Sequence, residues 1–188
     1  GKLFFKHKGV EKLVEGKTPE EALPFVERVS GDMVVGHTLA YVQAVERASG
    51  LVVSTHTEHL RSLYNELERI TAHIFDIGNM GGMGTGFTFM AAQGFRMVEE
   101  LRRLHHTLVG HRFLRGAVTL NGAHDISKEH RDMIVKQLEK LEKEIAPVID
   151  IAFKSDGLME RFETTGVLTT KAAEAYGASG LPARASSV

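Results

Sequence analysis

The chain has 188 residues, 43% of them hydrophobic and 25% charged, which suits a domain with a substantial core and is too apolar for a disordered segment. A formal net charge of −1 gives no general attraction to nucleic acid or to an anionic membrane surface. There is no cysteine, which excludes a disulfide framework and every thiolate-held zinc or iron–sulfur site within the chain and is compatible with an intracellular setting.

No run of about 18 apolar residues occurs, so no transmembrane helix is expected and any membrane contact goes through a partner. The start, Lys2-Leu3-Phe4-Phe5-Lys6, is too short for a signal peptide. Lys2 to Gly16 reads as an extended piece leading into a turn of helix, with Val10, Leu13 and Val14 as its apolar contacts. Thr18-Pro19-Glu20-Glu21 is a capping box with proline at the first helical position, and the helix it starts runs to about Val29. Pro24 lies early enough in it to be tolerated. Asp32 is the expected cap of the next helix, whose stripe is Val35, Leu39, Val42 and Val45 and whose end is Ser49-Gly50.

The long central helix starts at Thr55-His56-Thr57-Glu58, and Leu60, Leu63, Leu67, Ile70, Ile74 and Ile77 then recur by threes and fours along one face. Glu66, Arg69, His73 and Asp76 form a second, polar line, read either as a solvated ion-paired face or as the lining of a cleft. The glycine-rich stretch from Gly78 to Gly86 has neither the lysine-serine/threonine ending nor the preceding strand of a phosphate loop, so a connection between long helices is expected. Phe87 to about Val109 is the partner helix, with Phe95, Val98, Leu101, Leu104 and Leu108 inward and Arg96, Glu99, Arg102 and Arg103 outward.

His105 and His106 are adjacent and so point about 100° apart on a helix, which makes them poor joint ligands. His56-x-x-His59 is better spaced for zinc but has no evident third ligand. Arg112 to Gly122 is the one strand-like piece. Ser127 caps the last long helix, which carries Ile134, Leu138, Leu141, Ile145, Val148 and Ala152 and should kink or shorten at Pro147. Short helices come next at Leu158 to Phe162 and from Thr169 to Tyr176, with fraying expected over 177–188.

One spacing is not explained by helix packing. Lys8-Gly9-Val10-Glu11 is followed, after a spacer, by Arg28-Val29-Ser30-Gly31-Asp32-Met33-Val34-Val35-Gly36-His37. This resembles the first metal-site region of nickel–iron hydrogenase large subunits, Arg-Gly-x-Glu and then Arg-x-Cys-Gly-x-Cys-x-x-x-His. Glu11, Arg28, Gly31 and His37 are in register; Lys8 stands for the arginine, and Ser30 and Met33 stand for the two cysteines. A hydroxyl and a neutral thioether cannot replace a pair of thiolates, so no nickel–iron site is expected.

The flanking text, through Lys17-Thr18-Pro19-Glu20-Glu21-Ala22-Leu23, is similar to membrane-bound, formate-hydrogenlyase-type (group 4) hydrogenase large subunits. The loss of ligands is similar to the sister 49-kDa-type subunit of NADH:quinone oxidoreductase (complex I). The resemblance implies an all-α fold of three long and several short helices with at most a trace of β. It also implies a single helical domain over 1–188 that is the central fragment of a longer large subunit, a reading that Gly1 in place of a methionine suits.

Functionally the resemblance implies an oxidoreductase subunit of an electron-transfer complex, inactive as this fragment alone, shaping a quinone or proton-handling cavity. Glu11, Arg28 and His37 are its expected wall, with His37 buried, and Arg112 and Arg115 are expected to face a partner. No cofactor is expected within the fragment. A quinone and a partner-held iron–sulfur cluster belong to the full complex, together with an iron–sulfur small subunit and membrane subunits, at the cytoplasmic face of the membrane. Two other readings stand beside it: a non-catalytic structural or interaction paralogue of the same fold, and an unrelated helical bundle that binds zinc through histidines.

Overall fold

The computed structural model describes residues 7–188, so the reading of Lys2 to Lys6 falls outside the described residues. Helices α1 (Val10–Val14), α2 (Pro19–Val26), α3 (Val34–Ser49) and α4 (Thr55–Asp76) come first, followed by a π-helix, Ile77–Met83, and α5 (Thr88–Val109). Strands β1 (Val118–Thr119) and β2 (Gly122–Ala123) form a small antiparallel hairpin, and α6 (Lys128–Phe153), α7 (Asp156–Phe162), α8 (Thr170–Ala175) and α9 (Gly180–Ala185) complete the chain. The fold is all-α with a trace of sheet. The sequence reads as one helical domain; the described residues divide into two compact units, one ending at Val148 and the other spanning Ile149–Val188.

The helix starts obey the caps in most cases. Thr18 and Glu21 form the reciprocal capping box of α2, worth about 1 kcal/mol. Ser127 Oγ accepts from the His130 amide, and Thr169 Oγ1 accepts from the Ala172 amide. The cap of α4 is Ser54, which accepts the Thr57 amide, rather than Thr55 of the expected box. Asp32 does not cap α3: the residue at that position is Met33, which makes no side-chain cap. Pro147 does not end α6, which runs on to Phe153.

The core of the first unit joins Val35 and Val42 of α3, Leu60, Tyr64 and Leu67 of α4, and Leu104 and Leu108 of α5. Leu114, Ala117, Val118, Ile126 and Ile134 close it from the hairpin region and α6. The expected stripe of α4 faces inward, with Leu60, Leu67 and Ile74 buried. Arg61 and Glu68, just beside that stripe, are buried with it, at 2% and 4% exposure. In the second unit Ala152, Leu158, Ala173 and Ala183 are buried.

The glycine-rich stretch connects the two long helices, as a π-helix and a short turn and not as an open loop. Helix α4 passes directly into the π-helix, which packs backbone to backbone on α5: a Cβ on Gly82 would lie 2.3 Å from the Ala91 amide nitrogen, and one on Gly94 would lie 2.6 Å from the Gly78 Cα. Backbone cannot retreat as a flexible side chain can. Gly82→Ala is therefore expected to destabilise the chain by about 1–3 kcal/mol, read from the urea unfolding midpoint. An unchanged midpoint would mean the two helices separate without loss.

Candidate functional site

The motif positions lead to a cavity of about 220 Å³ between the turn before α3, the second half of α4 and the end of α5. Ser30, Asp32 and Met33 line it from the turn, Thr71, Phe75 and Asp76 from α4, and Arg102 and His105 from α5, with Arg112 to Leu114 closing it. Ser30 Oγ accepts the amides of Asp32 and Met33 at 3.4 and 3.3 Å, so the hydroxyl holds the turn that leads into α3.

Glu68 belongs to the same wall and does what Asp32 was expected to do. Its carboxylate accepts the Val35 amide at 2.7 Å and the Gly36 amide at 2.8 Å, so α3 is capped from another helix. Free amides and the helix dipole favour a carboxylate there. Burial nonetheless pushes the Glu68 carboxyl above its ordinary value, against the pull of the Gly36, Val35 and Val34 amides and of His37.

Arg102 is held between two rings, its guanidinium carbon 4.8 Å from the Phe113 centroid and 5.7 Å from that of Phe75. Such stacking holds a guanidinium flat without neutralising it. His105 is 2% exposed; its Nδ1 lies 3.2 Å from the Arg112 carbonyl oxygen and its Nε2 3.5 Å from Thr71 Oγ1. Burial lowers the imidazole to about 4, so it is neutral near pH 7.

Arg112 makes a bidentate pair with Glu99, 2.9 and 2.6 Å, inside the chain. With Arg103 also bonded to it, Glu99 is held down to about 2, chiefly by the Arg112 guanidinium. Arg115 is half-buried, and its Nε is buried without a hydrogen-bond partner in the described structure.

The other expected residues do not meet at this cavity. Glu11, Arg28 and His37 are all exposed and none lines it. His37, expected buried, lies on the solvent side of α3, and Arg28 folds back to donate to the Pro24 carbonyl. The two halves of the motif are nevertheless joined, because Lys8 Nζ donates to the Val29 carbonyl at 2.7 Å. Glu66, Arg69 and His73 form an exposed face, with Arg69 paired to Glu66, as the solvated reading has it. Asp76, the last of that line, reaches the cavity rim. His56 is bonded to Asp125 at 3.3 Å, and among the described residues no three His, Asp or Glu side chains converge as a metal site requires.

A second polar centre ties the hairpin to the helices. Arg61 makes a two-pronged pair with Glu46, 2.8 and 2.7 Å, and also donates to the carbonyls of Gly122 and Thr119. The Asn121 amide donates to the same Glu46 carboxylate at 2.8 Å.

Comparison with known proteins adds the ancestry. Residues 82–188, more than half of the chain, match the family described as the respiratory-chain NADH dehydrogenase 49 Kd subunit. The chain belongs to that 49 Kd subunit family. Residues 8–80 match the nickel-dependent hydrogenase family. The cavity of this 49 Kd family chain thus takes Ser30, Met33, Thr71 and Phe75 from the hydrogenase-matching stretch and Arg102, His105 and Phe113 from the other.

Among curated relatives, hydrogenase-4 component G of Escherichia coli (strain K12) is 28% identical over 172 residues, 89% of this chain and 30% of that protein. Formate hydrogenlyase subunit 5 of the same organism is 29% identical over 189 residues, covering 98% of this chain and 33% of that protein. An NADH-quinone oxidoreductase subunit of Dehalococcoides mccartyi is 30% identical over 191 residues, 98% of this chain and 50% of its own length. The chain therefore spans half or less of these relatives. Among the described residues no helix is long and apolar enough to cross a membrane.

Proposed function

We propose that this 49 Kd family chain is part of the large subunit of an electron-transfer assembly, and that the cavity beneath Ser30 and Met33 receives a quinone or handles protons in place of a nickel–iron centre. The observation that carries this is the placement of both former ligand positions on the wall of a cavity whose other walls are aromatic, hydroxyl, imidazole and guanidinium groups. A serine hydroxyl engaged in a turn and a thioether do not make a site for nickel or iron of the thiolate kind. A partly apolar cavity with a few polar groups suits a quinone ring.

In this reading electrons arrive through an iron–sulfur cluster held by a partner small subunit, and membrane subunits hold the assembly at the cytoplasmic face of the membrane. The names of the relatives, hydrogenlyase and NADH-quinone oxidoreductase subunits, support the reading without choosing between the two branches. Glu11, Arg28 and His37 would then act at the outer surface, where a proton or a partner arrives, and Arg112 and Arg115 would border the contact with the small subunit.

The test is purification of the full-length protein with its neighbouring subunits. Quinone-dependent oxidation of the partner's cluster, with less than stoichiometric nickel, is the expected result. Co-purification with no redox activity would instead support the structural paralogue.

A further inference from the structure

Two polar atoms in the cavity wall lack the partner their chemistry calls for. The Nε of Arg102 is buried and has no acceptor in the described structure, although the guanidinium is fixed between Phe75 and Phe113. The second is Nε2 of His105. A carbonyl oxygen only accepts, so the 3.2 Å contact with the Arg112 oxygen puts the imidazole proton on Nδ1 and leaves Nε2 a bare lone pair. Thr71 Oγ1 lies 3.5 Å from that lone pair, but its one proton points to the Leu67 carbonyl at 2.8 Å. Nε2 is therefore an acceptor without a donor.

Both residues line the cavity, three positions apart on α5 and so on one face of it. Of the other charges, Glu68 is matched by the α3 amides and Arg112 by Glu99, while the Asp32 and Asp76 carboxylates stand on the turn and α4 sides of the cavity. On α5 the wall thus presents one unmatched donor and one unmatched acceptor side by side. A ligand that fits carries an acceptor oxygen toward Arg102 and a hydroxyl proton toward His105.

Resting on the quinone reading above, we propose that the cavity distinguishes the oxidation states of its ligand and holds the hydroquinone in preference to the quinone, with Arg102 donating to one ring oxygen and His105 Nε2 accepting the proton of a ring hydroxyl. A quinone offers only acceptor oxygens, so its second carbonyl would face a lone pair and leave Nε2 unmatched. A hydroquinone offers an O–H there. His105 is a positioning residue that selects by hydrogen-bond polarity, and leaving one buried acceptor unmatched accounts for about a tenfold difference in affinity. Tighter binding of the reduced form by that factor raises the potential of the bound two-electron couple by about 30 mV.

The experiment is an anaerobic titration of the full-length protein, in complex with its iron–sulfur partner, with a short-chain benzoquinone and separately with its hydroquinone. The expected result is hydroquinone binding about tenfold tighter. His105→Leu should bring the two dissociation constants within about twofold by weakening the hydroquinone alone, whereas His105→Gln, whose amide oxygen can accept, keeps the preference. Equal affinities in the wild type, or a tighter quinone, would overturn the selection while leaving the quinone reading intact. Binding of neither ligand would overturn both. The wild-type comparison decides the matter even if His105→Leu does not fold.

Discussion

Arg61→Ala is expected to destabilise the chain by about 3–5 kcal/mol, the largest loss expected of any single substitution named here. Arg61 and Glu46 are 2% and 5% exposed, so removing the guanidinium strands a carboxylate in the core with only the Asn121 amide to hold it. The carbonyls of Gly122 and Thr119 lose their donor at the same time, which loosens the hairpin from α4. Replacing both partners by apolar residues, Arg61→Met with Glu46→Leu, should recover most of the loss, because a matched apolar pair leaves no charge behind. Acid should act in the same direction. Glu46 is held below its ordinary value chiefly by the Arg61 hydrogen bonds, so its contribution is complete above about pH 4.5 and is lost as pH falls through the lower folded value. Urea unfolding of Arg61→Ala and of the double variant measures this, and a loss under about 1 kcal/mol for Arg61→Ala would put the pair in the class of surface bridges.

Acid should also reveal His105. Its folded value is depressed from 6.5 to about 4, so it contributes stability that is complete above pH 6.5 and disappears as pH falls through about 4. The separation corresponds to about 3 kcal/mol across that window. Carboxylates such as Glu46, held below their ordinary value, also lose their contribution in acid, so the informative quantity is the difference between the wild type and His105→Gln. The wild type should lose about 3 kcal/mol more than the variant between pH 6.5 and 4. Parallel curves would mean that the imidazole is hydrated. An NMR titration gives an independent reading, with His105 remaining protonated on Nδ1 alone down to about pH 4.

Much of the helical architecture is legible in the sequence because it is local. The spacing of Leu60, Leu67 and Ile74 requires one buried face, and Thr18, Ser127 and Thr169 cap the helices that begin beside them. The illegible part depends on distant residues. Nothing near Asp32 announces that Glu68 supplies the cap of α3, and the π-helix at Ile77–Met83 persists because Gly78 and Gly82 lie against α5. Glycine density signals a loop only while the backbone has nothing to pack on.

The candidate site divides in the same way. The motif spacing finds Ser30 and Met33, which do line the cavity, but the groups that give the cavity its polarity, Arg102 and His105, lie far along the chain. Arg102 reads from the pattern as an outward cation, and only the rings of Phe75 and Phe113 reveal it as a fixed part of the wall. Arg61 and Glu68 carry a usable signal: each directly follows a residue of the α4 stripe, where a charge is carried into the core and needs a partner. Glu11 and His37 show the limit of a motif, since residues in register with an old ligand set are exposed here and stand apart from the cavity.

The most direct test of the account is photoaffinity labelling of the full-length complex with an azido-quinone, mapped by mass spectrometry with and without excess unlabelled quinone. Competed label on peptides carrying Phe75, His105 or Phe113 is the predicted result. Competed label confined to peptides outside the cavity, including those that carry Glu11 or His37, would contradict a quinone cavity beneath Ser30 and Met33.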